Sequence, residues 1–503
     1  MTRRLLLLFC AGPLLAGCMV GPNYRRPATP ISTTFKETPG WTVAAPADAL
    51  DRGEWWTLFG DPVLNELERR VQVSNQNVAA AEAAYRQARA LVREQRAALF
   101  PTVNLNAGVT HTGGGVSVGG TTTGVGGSTG TGVVIPTGGS GSTRYTVDIG
   151  GSWAPDVWGR IRRTIENASA NAQASQADLA NATLSAQAEL ATDYFGLREA
   201  DAEIALDQST LEAYQRSLQI AQNQYNAGIT AHSDVLQAQT QMLNAQAALL
   251  NVQRQRANFE HAIAVLVGEA PANLAITPAT WTLAVPEVPV SVPSVLLQRR
   301  PDIASAERRA AAANAEIGVN VAAYYPNITL TGSGDFAASS LGRLFNASSF
   351  IWSVGAQAAE TLFDAGARSA RVAQSRAAYE QAVAQYRQTA LAAFQSVEDN
   401  LAATRILAQE YEIRRQASAA ADLAEQMSLN QYRAGLVSYT NVIVTQAAAF
   451  NARTALVQAQ LQRQDTAVAL IEALGGGWTG VTGSPAVPPP PVQTASAATP
   501  PSR

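Results

Sequence analysis

Two copies of one pattern fill most of this chain of 503 residues, and that duplication limits the fold more than any local motif does. Tyr225-Asn226-Ala227-Gly228 recurs as Tyr432-Arg433-Ala434-Gly435, and the same register of 207 residues pairs Val235 with Val442, Gln239 with Gln446 and Gly268 with Gly475. Further upstream, Asn77 to Glu82 matches Asp302 to Glu307 at a spacing of 225, as Pro101 matches Pro326. The difference of 18 places extra residues in the first copy, between Pro101 and Gly159. A length that would otherwise suggest several independent domains therefore reads as one structural unit used twice. The Gly/Thr/Ser/Val stretch from Gly113 to Ser142 lies in that interval; it is low in charge, cannot bury a core, and is expected as an enlarged surface loop. A phosphate-cradling role fails for want of a following lysine.

Each copy runs through the same order: a helix, a pair of alternating segments, then two long helices. In the first pair Val103, Leu105, Ala107 and Val109 alternate with Thr102, Asn104, Asn106 and Thr110; beyond the loop Tyr145, Val147, Ile149 and Trp153 alternate with Thr146, Asp148 and Ser152. The second pair sets Ile328, Leu330 and Phe336 against Asn327, Thr329, Thr331, Ser333 and Asp335, then Trp352, Val354 and Ala356 against Ser353 and Gln357. Period two with one wet face predicts strands. Runs of about ten residues have the length a tilted strand needs to cross a bilayer. Phe100, Trp153, Phe336 and Trp352 stand near strand ends, where interfacial aromatics are expected. A soluble hairpin packed on a helix would show a similar pattern. No segment beyond the N-terminus offers about twenty uninterrupted apolar residues, so any spanning part must be a closed β-barrel. Four strands cannot close one, since small barrels need about eight; three chains would supply about twelve with every edge paired.

From Gly159 to Tyr225 there is no proline, and Ala, Gln, Leu, Glu and Arg dominate. At ~1.5 Å per residue this predicts a rod of about 100 Å if unbroken. Leu190, Leu197, Ile204, Leu211, Leu218 and Tyr225 recur every seven residues, which keeps a seam facing one partner helix. The matching positions of Ala365 to Tyr432 are Val397, Thr404 and Tyr411, a weaker seam. Returning helices are expected near Ser233 to Leu266, with Leu236, Leu243 and Leu250, and near Thr440 to Leu474, with Ile443, Phe450 and Val457. Gly268 and Gly475 stand near their ends as C-terminal stops.

Charge and rare residues exclude much chemistry. With 36 basic and 39 acidic residues the formal charge is −3, which leaves no nucleic-acid footprint. Lys36 is the single lysine, so P-loop, Schiff-base and kinase-type lysines are ruled out elsewhere. His111, His232 and His261 lie far apart and Cys10 and Cys18 near the start, so neither local zinc or iron–sulfur spacing nor a disulfide framework is expected. His232, Ser233 and Asp234 are the residue types of a nucleophilic triad, but adjacent positions at a helix start cannot converge on one another. No catalytic residue is expected, and the chain is read as not an enzyme. Asp61-Pro62 ahead of Val63, Leu64 and Leu67 predicts a capped short helix, while Trp55 and Trp56 read as packing anchors rather than a ligand cage. The Pro/Ala/Ser/Thr-rich tail from Thr479 reads as disordered.

Arg3 and Arg4, the apolar run Leu5 to Phe9 and the small residues before Cys18 make an export signal too short to span a membrane. Leu15-Ala16-Gly17-Cys18 resembles the bacterial lipobox. The resemblance implies cleavage before Cys18, a diacylglyceryl thioether on its sulfur and an acylated amine; Met19 in place of Asp points to the outer membrane.

The motifs Cys18-Met19-Val20-Gly21-Pro22-Asn23-Tyr24, Trp55-Trp56 ahead of Phe59-Gly60-Asp61-Pro62, Trp158-Gly159-Arg160, Arg300-Pro301-Asp302-Ile303 and the Ala-Gly turns at Gly228 and Gly435 extend over nearly the whole mature chain. In them it resembles a TolC/OprM-type outer membrane factor of the NodT lipoprotein branch. The resemblance implies an α+β membrane protein: a homotrimeric 12-stranded outer-membrane β-barrel, four strands per chain, continued by a long periplasmic α-helical barrel with an internal structural repeat. Laid on this sequence it gives a signal peptide over 1–17 and a lipid-anchored N-terminal segment with an equatorial region over 18–74. The first repeat covers 75–270, with a hairpin about 100–153 and long helices about 159–226 and 233–266. A linker over 271–300 leads to the second repeat over 301–476, with a hairpin about 327–359 and helices about 365–432 and 440–474, before a tail over 477–503.

The implied function is a passive exit duct for drugs or other small molecules in a tripartite efflux system. Its partners would be an inner-membrane RND-type pump, a periplasmic membrane-fusion adaptor and outer membrane lipid, with no cofactor beyond the covalent lipid on Cys18. A duct for type I polypeptide secretion is the near alternative; a lipid-anchored coiled-coil spacer is disfavoured because a spacer needs no dyad amphipathicity. Cargo and pump are not written in the sequence. At the periplasmic mouth the resemblance assigns Tyr432 as an aperture tyrosine, Ser233 and Asp234 as the residues that hold it by hydrogen bonding, and Arg433 as a charged position. Asn441 and Val444 stand where relatives often carry carboxylate rings, so a mouth of weaker cation preference is expected.

Overall fold

The computed structural model describes residues 19–29, 35–37, 54–112, 142–281, 284–286 and 300–476. The signal segment with Cys18, the glycine-rich stretch and the tail therefore lie outside the described residues, apart from Ser142. Among the described residues a 3-10 turn (Trp55–Phe59) leads into helix α1 (Pro62–Ser74), followed by α2 (Gln76–Ala97), strands β1 (Thr102–Thr112) and β2 (Ser142–Trp153), and helices α3 (Arg160–Asn226) and α4 (His232–Leu266). The order then repeats as α5 (Pro301–Ala322), β3 (Asn327–Ala338), β4 (Phe350–Ala359), α6 (Ala367–Arg433) and α7 (Tyr439–Ala473). The copies agree in length: α2 and α5 have 22 residues each, α3 and α6 have 67, α4 and α7 have 35. Between the paired strands lie 29 residues in the first copy and 11 in the second, which accounts for the whole difference of 18.

Contacts divide the chain into two compact units. One comprises residues 1–25, 89–169 and 311–380 and holds the sheet. The four strands are antiparallel in the order β1-β2-β3-β4. Their register stacks apolar on apolar: Leu105 opposite Ile149, Val147 opposite Phe336, and Phe336 opposite Phe350. Since side chains alternate along each strand, this register builds one continuous apolar face. On the other face Asn106 Nδ2 donates to Asp148 Oδ2 at 2.8 Å and the Ser333 and Ser353 hydroxyls meet at 3.0 Å. The apolar face is uncovered, with Leu105 at 72% and Val354 at 80% exposure. Every residue of β1 and β4, the two edge strands, is exposed.

The same unit ties down the segment that follows Cys18. Val20 N–H donates to Trp158 O at 3.2 Å. The Arg163 side chain is fully buried; its guanidinium donates to Val20 O, Gly21 O and the Asn23 amide oxygen at 2.9 to 3.1 Å and pairs with Glu166 at 2.7 Å. Trp158 Nε1 donates to Pro326 O at 2.9 Å while its ring stacks on Tyr325.

The second unit comprises residues 26–88, 170–310 and 381–503. Its core gathers Trp55, Trp56, Phe59, Leu64, Leu67 and Val71 around Leu190, Tyr194, Phe195 and Leu197. Trp55 and Trp56 meet edge to face at 5.9 Å and are fully buried, so they act as packing anchors. Asp61 starts α1 by accepting from Val63 N–H at 2.8 Å and Leu64 N–H at 3.2 Å, and its other oxygen accepts from Tyr194 Oη at 2.6 Å. Beside Tyr194, Asp201 is clamped by Arg198 at 3.0 Å and Arg256 at 2.6 Å. The two guanidiniums also donate to Thr277 O and Ile276 O.

Candidate functional site at the helical turns

Both long helices end in the same turn, and glycine makes it possible. Gly228 and Gly435 have φ of +73° and +75°, the left-handed region that Cβ disfavours. In each, the glycine N–H and the next N–H close back on the helix: Gly228 to Tyr225 O and Ile229 to Gln224 O, Gly435 to Tyr432 O and Leu436 to Gln431 O, all at 2.9 Å. Ring pairs repeat as well. Tyr225 lies 5.0 Å from His232, and Tyr432 lies 5.2 Å from Tyr439. The first pair is open to solvent, whereas Tyr432 and Tyr439 are buried with Ala221, Val235, Ala238 and Val442. This cluster brings the two turns together.

The structure corrects one expectation here. Tyr432 Oη is buried without a hydrogen-bond partner, so within the chain neither Ser233 nor Asp234 holds it by a hydrogen bond. Ser233 Oγ instead reaches Asp234 Oδ1 at 3.5 Å. Asp234 acts on Tyr432 through charge: burial first, then this carboxylate, raises the phenol's pKa. Burial pushes Tyr439 up to about 12, with smaller contributions from Tyr432, Tyr214 and Asp234. Arg433 and Asn441 are exposed beside the turn, and the Asn441 carbonyl accepts from Thr445 Oγ1 at 3.0 Å. His232 faces Tyr225 rather than a nucleophile. Because Oη finds no partner, Tyr432→Phe is expected to change stability by no more than about 1 kcal/mol, whereas Tyr432→Ala should cost about 3–5 kcal/mol by opening the cluster. Thermal midpoints of the two variants check this; a large loss in the phenylalanine variant would mean that a second copy supplies a bond to Oη.

A second feature lies along α3, where no sequence motif marks it. Glu199, Glu203 and Asp207 follow one another at four-residue spacing on α3, so they share one face. Antiparallel α7 lies against that helix: Ser185 Oγ donates to Glu472 Oε1 at 3.0 Å, and Gln446 Nε2 donates to Ser217 Oγ at 3.4 Å. Glu199 and Asp207 are buried, and Asp193 of α3 and Asp465 of α7 are half-buried. Burial raises every one of these carboxyls: Asp193 to about 6, helped by Glu189; Asp207 to about 6, helped by Glu203; and Asp465 to about 7, helped by Asp193. Glu199 is raised by burial and by Glu203, to which its protonated carboxyl donates. The spacing was visible in the sequence as like charges at i, i+4 and i+8, which an isolated helix disfavours. Among the described residues no group of three or more His, Cys, Asp and Glu could hold a metal ion. Nor is any described helix long and apolar enough to cross a membrane.

A family model described as outer membrane efflux protein matches residues 67–269 and 292–476. This chain belongs to the outer membrane efflux protein family. The efflux protein is 30% identical over 491 residues to the probable efflux pump outer membrane protein TtgC of Pseudomonas putida, covering 96% of this chain and 97% of TtgC. It is 29% identical over 477 residues to the cation efflux system protein CusC of Escherichia coli, covering 94% and 98%. The solved outer-membrane channel OprN superposes with a TM-score of 0.81 at 29% identity, over 92% of this chain and all of OprN. The protein is accordingly an outer membrane component of an efflux system and a transport conduit rather than an enzyme.

Proposed function

We propose that three copies join their sheets edge to edge into a 12-stranded barrel and their helices into a periplasmic tube, forming the exit duct of a tripartite efflux pump. The observation that carries this reading is the sheet with two open edges and an uncovered apolar face. In lipid every strand edge needs a partner, and another copy supplies it. Cargo would arrive from an inner-membrane pump through a periplasmic adaptor. Small molecules fit the relatives' names, since CusC is named for cation efflux. The mouth would lie at the turns, where Tyr432, Ser233, Asp234, Arg433 and Asn441 gather. Ion conductance by the purified trimer in a planar bilayer tests the duct; a folded, reconstituted protein that conducts nothing would overturn it.

Cys18 would carry the lipid anchor. Cys18→Ser should slow maturation or assembly while leaving the barrel embedded. An unmodified Cys18 in the mass spectrum of the wild-type protein would sink the anchor.

A further inference from the structure

The two faces of α3 treat charge in opposite ways. On one, Asp201 is neutralised by Arg198 and Arg256. On the other lie the carboxyls of Asp193, Glu199, Glu203 and Asp207; Asp465 of α7 interacts with Asp193 and Glu199, Gln458 of α7 with Glu203, and the interactions that shift these carboxyls include no arginine. The nearby bases of α7 are turned to α6: Arg453 pairs with Asp422 and Glu425 at 2.7 Å, and Arg463 lies over the Tyr411 ring at 4.7 Å. Several oxygens along this stripe lack a protein partner, namely Asp465 Oδ1, Asp207 Oδ2 and Thr210 Oγ1. Thr210, at 5% exposure, stands one turn beyond Asp207 on the same face and extends the polar stripe.

We propose that the α3–α7 seam is a proton-loaded joint, which packs tightly while its carboxyls hold protons and loosens when they release them to bulk water. The geometry supplies the coupling: buried like charges on facing helices repel one another once ionised, and among the described residues no arginine forms an ion pair with them. The raised pKa values agree, because those of Asp193, Asp207 and Asp465 place the change between mildly acidic and neutral pH. The sign follows from linkage. A carboxyl whose pKa is raised in the packed state favours packing below its ordinary pKa, and that preference is lost as pH rises through the raised value. An apolar seam of equal area would carry no such dependence.

The test uses the full-length trimer and amide hydrogen exchange of residues 455–468, read at about pH 6 and about pH 8.5 after correction for intrinsic rates. Wild-type protein should lose protection several-fold at the higher pH. Glu199→Gln combined with Glu203→Gln and Asp465→Asn should lose much less, because neutral amides of the same shape cannot ionise and only Asp193 and Asp207 remain to titrate. Glu199→Gln alone, the mildest change, should reduce the loss. Protection in wild type that does not change with pH, or an equal loss in the triple variant, would overturn the joint. This readout does not require the trimer to conduct, so failure of the duct and failure of the joint are told apart. In bilayers, conductance of the wild type alone should rise over the same pH interval.

Discussion

Asp201→Asn is expected to cost about 3–5 kcal/mol, because it leaves the buried Arg198 guanidinium without a counter-charge and Arg256 with only its longer pair to Glu260 at 3.4 Å. The Asp201 and Arg198 side chains are 4% and 3% exposed, and Arg256 is 14% exposed. Asparagine keeps the shape and one acceptor oxygen but loses both ionic partnerships. The cost follows mainly from stranding Arg198, whose remaining bonds to Tyr194 Oη and Thr277 O are to neutral groups, while Arg256 keeps Ile276 O and Glu260. Glu212→Gln is the control. Its contact with Arg216 spans 4.0 Å with both side chains about 70% exposed, so less than about 1 kcal/mol rides on it. Midpoints of denaturant unfolding should separate the two; equal shifts would mean that the Asp201 cluster is not a closed ionic network.

Glu68→Met should move stability the other way. Glu68 of α1 is completely buried, and neither carboxylate oxygen has a hydrogen-bond partner. Burial alone raises its pKa well above the ordinary carboxylate value, so the folded protein favours the neutral acid. The stabilisation linked to that preference is complete below the ordinary pKa and disappears as pH rises through the raised value. Methionine fills a similar volume without a polar head, so a gain of about 1–3 kcal/mol is expected, growing toward alkaline pH. Apparent melting temperatures measured across pH check both parts: the wild type should decline with rising pH more steeply than the variant. Destabilisation at every pH would show that the carboxyl finds a partner in the assembled protein.

The sequence was informative where a pattern is set by one chain neighbouring itself. Alternation marked Val103 to Val109 and Tyr145 to Ile149 because side-chain direction in a strand has period two, and the proline-free run marked α3 because nothing in it interrupts a helix. Register was another matter. That Val147 stands opposite Phe336 depends on how two distant strands pair, so the continuous apolar face could be inferred only as an average. The seven-residue seam was legible at one end only: Leu190 and Leu197 are fully buried, but Leu211 and Leu218 are half-buried. Further along the rod Asp207, Thr210, Tyr214 and Ser217 are buried in place of the leucines. Attention to leucine hid the carboxylates for that reason. Tyr432 was legible as a residue of the turn, but not the environment of its hydroxyl, which depends on packing between the copies.

The grip of Arg163 on Val20, Gly21 and Asn23 has a mechanical consequence for any lipid on Cys18. Consecutive Cα atoms are ~3.8 Å apart, and only Met19 separates that cysteine from the clamped backbone, so the attachment point has less than about 8 Å of slack. A leash of many flexible residues would let a protein wander beneath the bilayer. A lipid on Cys18 would instead act as a fixed rivet: a load on its acyl chains would pass through Arg163 into the first turn of α3, and would set the height of the protein in the membrane at that point.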